Sequence, residues 1–317
     1  MKLAMFAHDG RPQAPGMMRP DGSVVPVGEV LGAAAPATVT GLLAAWDELR
    51  DRLGDALAAV DSDPEAAVPA GRLIPATSVT LHEPLGERGL LVCTGANFRS
   101  HLEEMGEPVP EKVAWSVKSP NAVVATRQPI VLPAHATADQ IDFEGELAVV
   151  FGRDTHAVTA DEAYSHIAGY TILNDVSDRG PLSAIRSART SAEGRWAWTN
   201  MLLGKQYPSF APLGPVIRTA DEVPDPGKLR LTTTLNGALM QDAHVSELAI
   251  DIPHLVEQLS QHFSFRAGDL ITTGTPAGVG AARTPPVFLR PGDTVTIDIT
   301  GIGALTNEVV AGQHASG

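Results

Sequence analysis

One cysteine, Cys93, stands in a chain of 317 residues, so no internal disulfide can form. That shortage fits a reducing compartment and predicts a cytoplasmic protein. Cys93 lies in the apolar run "LLVCTG" with no activating neighbour, which predicts a buried strand thiol rather than a nucleophile. Basic residues are also in deficit. Lys and Arg total 23 against 37 Asp and Glu, a formal net charge of −14. A surface this acidic argues against general nucleic-acid binding, which needs a basic face toward phosphates. It argues equally against anionic membrane surfaces. No apolar run approaches membrane-spanning length, and the start, "MKLAMFAHDGRP", holds too short an apolar run for a signal peptide.

Several familiar motifs are missing too. The ten His include no H-E-x-x-H pair and there is no Cys cluster, so nothing has zinc-like spacing. The glycine-rich stretch "ITTGTPAGVGAA" (271–282) has no G-K-[ST] after it and is not G-x-G-x-x-G. It reads as a tight loop after a strand, where backbone N–H groups and Thr275 can approach a ligand. There is no repeat or heptad run, and disorder is predicted only at the tail "AGQHASG".

What is present is a 44% hydrophobic chain, enough for a sizeable core in one large domain or in one domain plus a smaller one. Residues 1–35 hold short apolar pieces broken by Gly and Pro, a hairpin-like unit. Residues 38–60 keep helical spacing, and "VDSDPEAAVPAG" reads as a linker. A boundary near residue 72 divides a small N-terminal domain (1–72) from a larger one (73–317). Strands then dominate: "GLLVCTGANF", "QPIVLPA", "IDFEGELAVVFG", "IAGYTILNDVS", "DLITTGTP" and "DTVTIDITGIGALTNEVV". Asn236-Gly237 marks a hairpin. Helices are few: "SHLEEMG", "TADEAYSHI" with a Thr159/Glu162 capping pattern, and "DIPHLVEQLSQHF" with Asp251 as N-cap. The pattern predicts a mainly β, α+β fold, a mixed β-sandwich or roll rather than a doubly wound sheet.

Asp142, Glu144 and Glu146 alternate with Phe143, Gly145 and Leu147, so on a strand the three acids share one face. Glu144 and Glu146 would then have Cα atoms roughly 6.5–7 Å apart, close enough to converge on one cation. The plain alternative is a solvated acidic face. Against it, the strand continues as the all-apolar "AVVF", and a further acid, Asp175, ends another apolar strand. Buried carboxylates need a counter-charge or they take up a proton. Oxygen-only ligands point to Mg²⁺, Mn²⁺ or Ca²⁺. On the helix "SHLEEM", His101 and Glu104 are three apart and share a face, so the carboxylate can orient the imidazole as a general base. The alternative is a solvated turn. Lys118 and Lys205 lie near apolar residues and Arg179 lies close after Asp175; near a metal any of them could hold a substrate carboxylate or enolate, or each could be an ordinary surface residue.

The order of these pieces carries more than any one of them. G-x-N-[YF]-x-x-H-x-x-E precedes a Lys, then D-[YF]-E-G-E-L-A-V-V-x-G, G-Y-T-x-x-N-D-V-S-x-R, G-K-x-[FY]-x-x-F-x-P-x-G-P, N-G-x-x-x-Q, G-D-x-I-x-T-G-T-P-x-G-V-G and a final G-D-x-V-x-x-x-I-x-G-I-G-x-L-x-N. From about residue 73 to the end the chain resembles the fumarylacetoacetate hydrolase family. The resemblance implies a mixed β-sandwich roll, a homodimer, and one divalent ion, typically Mg²⁺, held by Glu144, Glu146 and Asp175 with Asp142 in support. It implies a His101–Glu104 dyad on a short helix that can close over the site. Lys205 would stabilise a developing enolate, while Phe98, Lys118, Arg179 and Thr275 would face the substrate. Members of the family act on small keto acids and diketones. The first expectation is a metal-dependent hydrolase of a C–C bond in a diketo compound. The alternatives are a decarboxylase, isomerase or tautomerase of a keto or unsaturated dicarboxylic acid, and a silent binding protein on the same scaffold. The chain departs from the family pattern at Phe98 (for Tyr), Gly180 (for Asp), Leu182 (for Gln) and Pro208 (for Asp), and its 180–204 segment is long and carries Arg186, Arg189 and Arg195.

Overall fold

The computed structural model describes residues 1–87, 89–134 and 140–312. The end of the tail expected to be disordered, 313–317, lies outside them. Among the described residues an 11-stranded sheet runs in the order Val24–Pro26, Ala14–Met18, Lys2–Ala7, Ala211–Thr219, Ile167–Asn174, Gly145–Phe151, Leu270–Thr272, Leu91–Gly95 and Ala114–Lys118. The short strands Thr80–Leu81 and Val123–Val124 join it off this path. A five-stranded sheet orders Ala238–His244, Arg230–Leu235, Thr294–Ile299, Gly303–Ala311 and Ile130–Leu132. The mixed β architecture expected from the sequence is therefore present.

The strand Gly145–Phe151 lies in the interior of the large sheet and every residue in it is buried. Its side chains alternate between two cores. Leu147, Val149 and Phe151 pack in a core shared with Leu231, Val295, Ile297 and Leu305 of the five-stranded sheet. Ala148 and Val150 pack in a second core with Leu42, Leu43 and Leu53 of the N-terminal helices. A strand covered on both faces needs apolar residues at successive positions, which is why "LAVVF" does not alternate. Glu146 shares the parity of Ala148 and Val150, so its carboxylate enters the protein.

Within 1–35 the expected antiparallel strands are Lys2–Ala7, Ala14–Met18 and Val24–Pro26, the first of which also pairs with Ala211–Thr219 and so adds them to the large sheet; the rest of the segment is helical instead, Val27–Leu31 as a short α-helix and Gly32–Ala34 as a 3₁₀ turn. The 38–60 helix is split at Ala45 into Val39–Ala44 and Trp46–Ser62. The linker expected at 60–71 is partly helical instead. Pro64–Ala67 is a short helix, with Asp63 capping the Ala66 N–H at 3.1 Å and Pro64 in its first turn. The helix expected over 159–167 shrinks to the 3₁₀ turn Ala163–His166: Thr159 and Glu162 make their local contacts, but the chain must enter the strand at Ile167. Two further helices were not anticipated, Pro181–Ser187 and Ser191–Leu203. The second buries only Ala197 and leaves Trp196 and Trp198 exposed, so no apolar stripe announces it. Its capping box, Thr190 with Glu193, was the legible signal. The Asn236-Gly237 hairpin is as expected, both residues at positive φ (53° and 81°).

Candidate metal centre

The stretch 141–152 is not one continuous strand. Ile141–Asp142 pairs with Ser177–Asp178, and the main strand begins only at Gly145. Local bonds break it: Asp142 Oδ1 accepts from the Phe143 N–H (2.9 Å) and Asn174 Oδ1 accepts from the Glu144 N–H (3.0 Å). The Asp175 N–H donates to the Glu144 carbonyl at 2.9 Å. This brings the break in one strand against the end of its neighbour Ile167–Asn174. Glu144, Glu146 and Asp175 are all buried, and one carboxylate oxygen from each lies within 4.8 Å of the others.

Three cations surround these acids. Lys205 Nζ donates to Glu144 Oε2 (3.0 Å), Asp175 Oδ2 (2.6 Å) and Ser177 Oγ (2.8 Å). Lys118, fully buried, donates to Asp175 Oδ1 and to the Val176 carbonyl (3.0 Å). Arg179 bridges Asp142 Oδ2 (3.0 Å) and Glu144 Oε1. Counting Asp142, four carboxylates meet three cations, so full ionisation leaves one negative charge in excess. The excess falls on Glu146. Its Oε2 is buried with no hydrogen-bond partner. Burial, then the nearby Asp175 and Glu144, push its carboxyl well above the usual carboxylate range. For Glu144 burial acts the same way, but Arg179 and Lys205 outweigh it and hold the carboxyl low. Lys205 is raised, because Asp175 and Glu144 overcome its burial.

This donor set fits a divalent ion. It is all oxygen, it is buried, and one of its acids, Glu146, keeps a carboxylate oxygen without a hydrogen-bond partner. Oxygens bound at about 2.0–2.6 Å to one ion lie up to about 4–5 Å from one another, the scale of this cluster.

Asp142 does not join the three. It accepts from the Gly280 N–H (2.7 Å), the Ala281 N–H (3.1 Å) and Arg179. Burial raises its carboxyl, with Arg179 opposing. It thereby ties the glycine-rich loop to the acids, and Gly280 is needed there because a Cβ would meet the Val287 carbonyl and Asp142 itself. The same loop holds the dyad. His101 Nδ1 and Glu104 Oε2 are 2.8 Å apart on the helix Arg99–Met105, and Glu104 Oε1 accepts from the Gly278 N–H at 2.9 Å. A profile of the fumarylacetoacetate hydrolase C-terminal domain matches residues 91–310. The chain belongs to the fumarylacetoacetate hydrolase family.

Relatives within this family differ in reaction. A mitochondrial oxaloacetate tautomerase of Bos taurus is 36% identical over 238 residues, covering 75% of this chain and 72% of that protein. An oxaloacetate tautomerase of Bacillus subtilis is 36% identical over 236 residues, 74% of each. The crystal structure of maleylpyruvate hydrolase from Sphingobium sp. SYK-6, in complex with manganese(II) and pyruvate, matches with a TM-score of 0.75 at 27% identity. That match covers 99% of this chain and 100% of the other. A 2-hydroxyhepta-2,4-diene-1,7-dioate isomerase from Mycobacterium marinum matches with a TM-score of 0.71 at 30% identity, covering 99% and 100%.

The remaining expected residues are placed as follows. Phe98 is fully buried in the inter-sheet core, just before the dyad helix. The Thr275 hydroxyl donates to the Gly145 carbonyl (3.0 Å) and accepts from Gln241 Nε2 (2.7 Å). Leu182 lies on the helix Pro181–Ser187, and the two helices of 181–203 stand between Arg179 and Lys205. Cys93 is buried, and burial raises its thiol well above the ordinary value. Sequence reasoning missed Ser177, Asn174 and Gln241 as site residues. Ser177 and Asn174 sit inside the quoted "NDVS" motif and Gln241 ends N-G-x-x-x-Q, so the motifs pointed to them without assigning a contact. No helix among the described residues is long and apolar enough to cross a membrane.

Proposed function

We propose that this protein is a divalent-metal-dependent tautomerase of a small 2-oxo dicarboxylic acid of the oxaloacetate type. The carrying observation is the buried triad Glu144, Glu146 and Asp175 with the unpaired Oε2 of Glu146. The names of the relatives at 36% identity support the choice of reaction. Mg²⁺ or Mn²⁺ on these carboxylates would supply a Lewis acid for a substrate carbonyl. The chain's own residues supply the rest. His101 moves the proton between carbon and oxygen; its Nδ1 is fixed by Glu104, which leaves Nε2 to face the substrate. Lys205 and Arg179 bring positive charge to where an enolate develops. Lys118, locked on Asp175, holds that acid in place. Tautomerisation needs only this proton transfer and charge stabilisation, and no attacking water.

The second reading is the C–C hydrolase of an acylpyruvate-like substrate, supported by the same dyad, which can equally deprotonate a water. A homodimer in the reducing cytoplasm accompanies either reading. The test is the decay of freshly dissolved enol-oxaloacetate, followed by ultraviolet absorbance with added Mg²⁺ or Mn²⁺. Acceleration that is lost on His101→Ala supports the tautomerase. No acceleration, with pyruvate released from an acylpyruvate and ¹⁸O from water in the new carboxylate, would replace it with the hydrolase. Absence of both reactions and of metal binding would leave a binding protein.

A further inference from the structure

Between the two glutamates of the triad lies Gly145, and both of its backbone groups are held by side chains from outside its strand. Gln241, 1% exposed, belongs to the strand Ala238–His244 of the other sheet. Its Oε1 accepts from the Gly145 N–H at 3.0 Å. Its Nε2 donates to Thr275 Oγ1 at 2.7 Å and to the Pro276 carbonyl at 2.9 Å. Thr275 Oγ1 in turn donates to the Gly145 carbonyl at 3.0 Å. The ring closes: Gln241 to Gly145, Gly145 to Thr275, Thr275 to Gln241.

We propose that Gln241 and Thr275 are paired positioning residues that set the bite of Glu144 and Glu146 by clamping the peptide units between them. The inference rests on the metal-centre reading above. The Gly145 N–H belongs to the peptide that joins it to Glu144, and the Gly145 carbonyl to the peptide that joins it to Glu146. Rotating either peptide to splay a glutamate breaks a buried hydrogen bond. Gly145 must lack a side chain for this, because a Cβ would run into Thr233 Oγ1 and crowd Gln241 Oε1. The clamp also reaches the dyad. Beyond Pro276 the loop passes Gly278, whose N–H holds Glu104, and then Gly280, whose N–H holds Asp142. A hydroxyl has one hydrogen, and that of Thr275 is committed to Gly145, so Thr275 cannot donate to a substrate carboxylate while the clamp is closed.

The test measures binding of Mn²⁺ alone, by the electron paramagnetic resonance signal of the free ion, with no substrate present. Gln241→Met keeps the length of the side chain and removes all three hydrogen bonds. Thr275→Val removes the hydroxyl and Thr275→Ser restores it. Gln241→Met and Thr275→Val are each expected to weaken Mn²⁺ binding about 10–100-fold, the range seen when a hydrogen bond orienting a metal ligand is lost. Thr275→Ser is expected to bind like the wild type. The double variant is expected to lose far less than the product of the single losses, because one ring is broken twice. A purely structural role would lower the melting temperature and leave Mn²⁺ affinity unchanged. Wild-type affinity in folded Gln241→Met and Thr275→Val, or Thr275→Ser as weak as Thr275→Val, would overturn the clamp. If Gln241→Met does not fold, the Thr275 pair decides. A wild-type protein that binds no Mn²⁺ sinks the metal centre, and the clamp with it; normal wild-type binding with unaffected variants sinks the clamp alone.

Discussion

Replacing Glu146 with Gln separates a metal centre from a self-compensated knot of ion pairs. Without a metal, Glu146 is the acid that no cation satisfies: its Oε2 has no partner, and it lies with Glu144 and Asp175 inside a 4.8 Å cluster. Two carboxylates that close repel by about 3–4 kcal/mol at an effective dielectric constant of about 20. Holding a proton avoids this, and the raised carboxyl reflects it. Gln is the neutral isostere of that protonated acid. Glu146→Gln is therefore expected to change metal-free stability by no more than about 1 kcal/mol, the net worth of one hydrogen bond. Metal binding behaves otherwise. Loss of a mere supporting contact costs about 10–100-fold in affinity, so loss of a ligand should cost at least about 100-fold. Calorimetric unfolding in EDTA and Mn²⁺ titration read the two effects. Unchanged Mn²⁺ affinity would refute the ligand assignment. A loss of several kcal/mol in EDTA would show that ionised Glu146 is a structural partner and refute the charge argument.

Three further outcomes follow from the same geometry. His101→Ala should lower turnover about 10²–10⁴-fold, the usual scale for one proton-transfer group, with Mn²⁺ affinity retained; lost Mn²⁺ binding would contradict the assignment of the ion to Glu144, Glu146 and Asp175 alone. In EDTA, stability should fall as pH rises above the ordinary carboxylate range. Above its unfolded value of 4.5 the unfolded chain has released the Glu146 proton that the folded chain keeps, and buried Asp142 acts in the same direction. Glu144, held low, gives stability that is complete above that value and is lost only in acid. Saturating Mg²⁺ or Mn²⁺ should flatten the slope and Glu146→Gln should reduce it; scanning calorimetry across pH checks both. Cys93, buried with a raised thiol, should resist a thiol-specific disulfide reagent in the native protein and react on unfolding, which the release of chromophore would follow.

Much of the site was legible because its parts are local. The dyad needs only an i, i+3 spacing on a short helix, and the hairpin needs only Asn236-Gly237. Glu146 and the apolar run after it declare a strand buried on both faces. What was misjudged was local as well. Part of the linker at 60–71, Pro64–Ala67, folds as helix because Asp63 and Pro64 start a turn. The helix Ser191–Leu203 escaped notice because its tryptophans face outward, which periodicity reads as no helix at all.

By itself, the sequence determined that acids, dyad and glycine loop occur in a fixed order, and that the acid-bearing strand is interior. It could not say which charges meet. Lys118 and Asp175 are 57 residues apart, Lys205 and Glu144 are 61, and Gln241 and Gly145 are 96. Such pairs exist only once strand register is set, and a slip of one residue would turn every side chain to the other face. The tertiary structure therefore decided that three of the carboxylates find cations, and that the fourth, Glu146, is left with an oxygen that nothing among the described residues satisfies.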